Sequence, residues 1–352
     1  MKILYLACAN VSSRFPREDY LCDMLFHGFR SLFGADVVDV ARNDSMYSDN
    51  PPECRLKMYG KGFTIWNTLD PELPIDRKGI ESKIKSRYFD LIIYSQATRS
   101  LPFINDVCSF YPKDRVLLFD GEDIPLIKPG LLRLGLPLFK RELRRHVAGV
   151  FPISFCVPKE KMCHKFPSKD KQVARTPTQA HVFTTEREYY VEYQRAYFGR
   201  TQKKAGWDCC RHYEIVMNRC VPYFKDIQYI PDLTMTRFPK SLVWEAMKLF
   251  ECKNMEQTNY RELEQKIFDC CVRRCTTEAM AVYVLDTIPH QTINICPPLF
   301  VGRAAVPAAE CLYSFRRLVY SLRVVIRNIF LSVRKQLSKI ISGRSRNEKC
   351  SA

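Results

Sequence analysis

Between Lys203 and Phe224 the chain reads KKAGWDCCRHYEIVMNRCVPYF, with two lysines, a glycine, a tryptophan, an Arg-His pair and a glutamate inside its first dozen residues. The pattern predicts a helix over Asp208–Asn218, so the helix would begin just after Lys203, Lys204 and Gly206. Free backbone N–H groups, the positive end of a helix and two ammonium groups would then converge on one spot, which is what a phosphate requires. Glu214 falls six residues into the helix, where its carboxylate could accept hydrogen bonds from ribose hydroxyls. Trp207 and Tyr213 offer apolar faces to a base or a sugar ring. Each residue also has a bland role: a Trp at a helix start packs, a Lys-Lys pair is solvated, and a lone His212 is structural more often than catalytic. One ligand accounts for the conjunction, a nucleoside diphosphate.

Other chemistry is weaker. DGED, Asp120–Asp123, has the acids of a metal site at a strand end, and Asp120 or Glu122 could face a cleft; a structural or acceptor-side role is the reading favoured. Asp19 and Asp23 open the first helix, as acceptor contacts or a general base, or equally as capping and solvated acids. No G-x-S-x-G, Walker A or kinase signature occurs, so acyl-transfer and P-loop chemistry are unsupported. The 16 cysteines contain no C-x-x-C, and the nearest approach to a zinc set, Cys156, Cys163 and His164, lacks a second pair. No metal site is expected, and the cysteines read as small buried hydrophobes of a reducing compartment.

These residues need a frame. Apolar runs at Lys2–Ala9, Asp36–Ala41, Phe89–Ser95 and Arg115–Asp123 read as strands, and Arg17–Phe33 reads as a helix ended by Gly34. Strands separated by helical stretches argue for a parallel sheet covered on both faces. Further on, His181–Thr185 reads as a strand or strand end, Cys220–Phe224 as a strand, Lys240–Phe250 as a helix and Tyr260–Ile288 as one long helical pattern. The basic, proline-punctuated stretch Phe139–Lys161 reads as a crossing between two halves. The expected division is one α/β domain over 1–145, a second over 146–290, and a linker with a basic tail over 291–352; the resemblance given below implies that the first is the acceptor side and the second the donor side. Ligands of such folds bind at the strand carboxyl ends.

The stretch TQKKAGWDCCRHYEIVMNRCVPYFKDI resembles the donor-site segment of glycosyltransferases that share a KKGGWDCLRHYEIL…CVPYF pattern, the GT-B-like group of the spore-coat CgeB type. EDYLCDMLFHGFRSLFG, FDGED, FKREL, TMTRFPK and TTEAMAVYVL carry the same resemblance, which runs from about Lys2 to Leu285. It implies two Rossmann-like domains, with transfer of a sugar from a nucleotide-sugar donor to a hydroxyl on a glycan or lipid-linked acceptor. It implies no cofactor and no metal. Glu214 would hold the donor ribose, and Lys203, Lys204 and Arg211 the diphosphate. Trp207, Asp208 and Tyr213 complete the donor-binding candidates; Asp19, Asp120, Glu122 and His212 are the catalytic candidates. Ala205 stands where the pattern has Gly, which narrows the backbone freedom of that turn. The alternative is a non-catalytic glycan- or partner-binding module on a degenerate transferase frame.

The net charge of +17 is unevenly placed: ten Lys/Arg against the single acid Glu348 lie between Cys311 and Ala352. Over 312–341, Phe315, Val319, Leu322, Ile326, Ile329, Val333, Leu337 and Ile340 share one helical face, with arginines and lysines opposite. That arc suits an anionic membrane surface, or else a brace packed across both domains. Aromatics are not interleaved as stacking platforms, so nucleic acid is not expected as a partner. No apolar run reaches the ~18 residues of a membrane span. The expected location is cytoplasmic, peripheral on a membrane if the arc binds one.

Overall fold

The computed structural model describes residues 1–7, 19–40, 42–51, 55, 58–175, 183–251, 257–288, 313–320 and 322. One compact unit, Met1–Ile127 with Leu131–Leu299, carries both sheets of the protein. A second, Lys128–Gly130 with Phe300–Ala352, contributes a helical run over 313–320. Most of the amphipathic arc over 312–341 lies outside the described residues; within the described part, Phe315, Leu318 and Leu322 are exposed.

The first sheet contains β1 (Ile3–Leu6), β2 (Val37–Asp39), β3 (Leu91–Tyr94), β4 (Val116–Asp120), β5 (Leu138–Lys140) and β6 (Val150–Pro152). Their order is β2-β1-β3-β4-β5-β6 and every pairing is parallel. Alternate side chains supply two separate cores. Ile3, Tyr5, Leu91, Ile93, Leu117 and Phe119 enter one, and Leu4, Leu6, Ile92, Tyr94, Val116 and Leu118 the other. A strand buried on both faces must be apolar at consecutive positions, which is why these runs could be read as strands.

Helix α1 (Tyr20–Phe33) covers the first of these cores. Asp19 caps it by accepting the Cys22 N–H at 3.4 Å, and Gly34 closes it with φ 55° and its N–H on the Arg30 carbonyl. Three short helices, α2 (Ile80–Lys85), α3 (Ile104–Phe110) and α4 (Pro129–Arg133), follow in the chain. The expected crossing at Phe139–Lys161 is corrected: β5 and β6 fall inside it and complete the first sheet, so the chain leaves that sheet only after Pro152.

The second sheet is β7 (Lys171–Ala174), β8 (Ala196–Arg200) and β9 (Val221–Tyr223), again parallel throughout. Helix α5 (Glu186–Gln194) packs on one face through Tyr189 and Tyr193. Helices α6 (Cys210–Met217), α7 (Lys240–Glu251) and α8 (Gln257–Arg274) build the larger core on Phe198, Val221 and Phe224. The expected strand or strand end at His181–Thr185 is not one where described: Thr185 caps α5 in a capping box with Glu188.

The long pattern over Tyr260–Ile288 is two helices, not one. It breaks at Cys275–Thr276, where the Thr276 hydroxyl accepts the Ala279 N–H and starts α9 (Thr277–Thr287). Helix α9 returns to the first sheet, placing Met280, Ala281 and Val284 in the core beneath α1. The two helices meet at Gly28. A Cβ there would lie 2.0 Å from the Thr277 carbonyl oxygen, so no other residue fits without displacing α9.

Candidate functional site

The segment 201–214 joins the end of β8 to α6 and carries the donor-binding candidates. Its turn is closed by the Lys204 N–H donating to the Gly206 carbonyl at 3.1 Å, and the Lys203 ammonium lies 4.6 Å from the Trp207 ring centroid. Helix α6 starts at Cys209 without a side-chain cap and with no acid in its first turn. Its N-terminal dipole is therefore not met by a capping side chain or by an acid of its own first turn. Lys204 and Arg211 sit beside this end, and neither forms an ion pair or side-chain hydrogen bond among the described residues. The Arg211 Nε is buried with no partner. A carboxylate normally answers a cation so placed.

His212 holds the turn to the helix. Its Nε2 is 3.0 Å from the Trp207 carbonyl and its Nδ1 3.0 Å from the Thr201 hydroxyl. A carbonyl can only accept, so Nε2 bears the proton, whereas the Thr201 hydroxyl can serve Nδ1 either way. Burial pushes its pKa down to about 3, opposed by the bond to Trp207 and reinforced by Arg211 and Lys204. With the ring stacked on Phe224 at 4.7 Å, His212 is placed to fix the loop, not to carry a proton at neutral pH.

Asp208 and Gly206 tie the segment to the first sheet. The Asp208 carboxylate accepts from the Phe155 N–H and the Tyr213 hydroxyl, each at 2.9 Å, and its own N–H donates to Glu142 at 2.8 Å. Arg141 donates to the Asp208 carbonyl at 2.6 Å, to the Gly121 carbonyl, and to Asp123. Burial pushes the Asp208 carboxyl up to about 7, with Arg141 and the Phe155 N–H pulling the other way. A Cβ on Gly206 would stand 2.5 Å from a Glu142 carboxylate oxygen, so the close approach demands glycine.

Glu214 is buried at 6 % exposure and faces back across the junction. Its two oxygens accept from the Thr64 hydroxyl at 2.7 Å and the Tyr189 hydroxyl at 2.6 Å. Tyr213 is also buried, and its hydroxyl donates to Asp208. Lys203, Lys204, Trp207 and Arg211 thus lie at the N-terminal end of α6, Glu214 stands in the middle of the helix on Thr64 and Tyr189, and Asp208 and Tyr213 form the buried support.

The acids of the first sheet sit at the ends of β4 and α1. Asp120 has no exposure; one oxygen takes the Lys140 ammonium at 2.9 Å and the Glu122 N–H at 3.0 Å. Asp19 lies 3.7 Å from Arg99 and over Gly121, and Glu122 is 3.4 Å from the Thr98 hydroxyl. Asp23 is buried and accepts from Asn43 and from the Asp19 N–H. Asp19, the cap of α1, and Glu122, just past β4, are partly buried, and Asp120 is committed to Lys140. Among the described residues no group of three or more His, Cys, Asp or Glu side chains is placed to hold a metal ion.

Several contributors escaped the sequence reading. Arg141 and Glu142 lie in FKREL, which carried a resemblance but no role. Thr201 opens the TQKKAGWDCC stretch without having been given a role, and Thr64 had no signal at all, since it acts through Glu214, 150 residues along the chain.

Fold and site together define an α/β protein with two parallel sheets and a cationic helix end at their junction. No family model matches the chain, and no curated protein matches it significantly. A solved structure described as an alpha-glucosyltransferase in complex with UDP and a 13-mer DNA containing a HMU base is similar over 82 % of this chain and 99 % of that one, at 10 % identity and a TM-score of 0.42.

Proposed function

We propose that the protein is a GT-B-like glycosyltransferase that takes a nucleoside-diphosphate sugar and passes the sugar to a hydroxyl acceptor. One observation carries this reading: an uncapped helix start with Lys204 and Arg211 beside it, neither paired to a carboxylate, and a glutamate one helical turn further on. In this reading Arg211, Lys204 and Lys203 meet the diphosphate and stabilise it as it leaves. Glu214 holds the ribose, and Trp207 flanks the base or sugar. Asp19 and Glu122, at the facing strand ends, are the groups placed to meet an acceptor hydroxyl. His212, Asp208 and Tyr213 act by positioning.

The test is calorimetric titration with ADP, GDP, UDP, CDP and dTDP. One of these should bind, and Arg211→Met should weaken it by about 1.5–3 kcal/mol, the usual worth of a charge-assisted contact, while leaving the matching nucleoside unaffected. Equal losses for diphosphate and nucleoside would make Arg211 a packing residue and remove the basis of the reading.

A second reading, a non-catalytic glycan- or partner-binding module, is favoured by the burial of Asp120 against Lys140, which withdraws one of the candidate acids. Donor hydrolysis by the pure protein would decide against it. The basic arc over 312–341 is proposed as a contact for anionic membrane surfaces. Binding to phosphatidylserine vesicles that weakens with salt would support this, and its absence at low salt would end it. No helix among the described residues is long and apolar enough to cross a membrane.

A further inference from the structure

The loop from Met58 to Asn67 belongs to the first sheet's half of the molecule but is shared with the second. Ile65 and Met58 are anchored in the first core, whereas Phe63 enters the small core of α5 and β8 and stacks on Tyr189 at 5.6 Å. Between them Thr64, with no exposure, is gripped from three sides. Its N–H donates to Glu186 at 2.5 Å, and its hydroxyl lies 2.9 Å from the Tyr190 hydroxyl and 2.7 Å from Glu214. Tyr190 also donates to Glu186 at 2.8 Å, and Tyr189 fills the other Glu214 oxygen.

The grip is made at a cost. Gly60, Lys61, Gly62, Thr64 and Asn67 all have positive φ, and at Thr64 the value is 78°. A β-branched residue in that region is an outlier, and it persists only where its surroundings hold it. What holds it here is Glu186 on its N–H, itself paired with the Lys161 ammonium at 2.9 Å, and Glu214 with the Tyr190 phenol on its hydroxyl. A buried carboxylate that already accepts a hydroxyl of the chain is one that a ribose hydroxyl could take over.

We infer that Glu214, with Tyr189 on its other oxygen, forms a hydroxyl-binding site that Thr64 and the ribose diol of the donor occupy in alternation. The inference rests on the donor reading above, and adds to it a competitor built into the chain. The ribose gains Glu214 only when the strained loop lets go, so release of Thr64 and entry of the donor are one event. The loop is tied to both halves, and its release would also loosen their junction at the moment the donor arrives.

The experiment measures nucleoside-diphosphate affinity in Thr64→Val, which keeps the side-chain shape and removes the competing hydroxyl. The dissociation constant of the diphosphate that binds should fall about tenfold, the worth of one hydrogen bond to a carboxylate. That gain should vanish for the 2′,3′-dideoxy form of the same diphosphate. Tyr190→Phe, which removes the other partner of the Thr64 hydroxyl together with its own bond to Glu186, should give a smaller gain in the same direction. It also serves as the second variant should Thr64→Val melt early. In the unaltered protein, the diphosphate should speed hydrogen exchange of the amides from Phe63 to Ile65.

Unchanged affinity in both variants, with Glu214→Gln still losing the diol-dependent part of binding, overturns the alternation and leaves the donor reading standing. If Glu214→Gln loses nothing, or if neither Thr64→Val nor the unaltered protein binds any of the five diphosphates, the donor reading fails and the alternation with it.

Discussion

At the ends of the first sheet's strands, charge is answered within the fold. Asp120 meets Lys140, Asp123 meets Arg141, and Asp19 faces Arg99. At the start of α6 in the second sheet's half, Lys204 and Arg211 form no ion pair among the described residues, Glu214 acting on Arg211 only at longer range, and the helix dipole adds to their field. Burying a charge without a partner is expensive, so Asp120, fully buried against Lys140, serves structure. On the donor reading proposed above, Lys204 and Arg211 are left for an anion from outside.

The contrast breaks most easily at its structural side. Lys140→Met leaves Asp120 buried and unpaired, and should cost about 3–5 kcal/mol in urea unfolding. The double change Lys140→Met with Asp120→Leu should recover much of that loss. A stable single variant would mean that the pair is not what neutralises this region.

The joint between the two regions gives a pH signature. Burial raises the Asp208 carboxyl from its ordinary range to about 7. The folded state therefore holds this proton more tightly than the unfolded chain, and the associated stability is complete below about pH 4 and lost as pH rises towards 7. The loss is at most roughly 4 kcal/mol, since each tenfold difference in proton affinity between folded and unfolded chain is worth about 1.4 kcal/mol. Unfolding curves for Asp208→Asn should lack that decline, and an unaltered slope between pH 4 and 7 would show that Asp208 is ionised throughout.

The smallest effect sharpens the other side. Lys204 is exposed, so Lys204→Ala should weaken diphosphate binding only roughly two- to fivefold at low salt, and the difference should fade in about 1 M salt. A salt-independent loss would place the ammonium inside the site rather than at its rim.

Much of this could be seen in the sequence wherever a residue acts through its near neighbours. β1, β3 and β4 were legible because both faces are buried and the apolar run is continuous. Helix α6 was legible within two residues at its start. β5 and β6 were not, because each is three residues long, and β5 carries a buried Lys140 that reads as a linker charge until its partner Asp120 is placed 20 residues away. β7 was hidden by its half-exposed Lys171 and Gln172. The break between α8 and α9 is one threonine cap inside an otherwise continuous helical pattern. At the site, the basic turn and Glu214 were legible as a type of chemistry. The bond from Thr64, 150 residues away, was not, because a left-handed threonine is fixed by its surroundings and leaves no local pattern.

The return of α9 to α1 sets the order in which the molecule can be finished. Met280, Ala281 and Val284 fill the face beneath α1, and nothing encoded before Thr276 takes their place. On the ribosome, the first sheet and α1 would emerge with that face open and stay so until the whole second sheet had been made. The first 152 residues expressed by themselves would keep a sticky seam along α1. A permuted gene in which α9 precedes β1 would let that half close before the other begins.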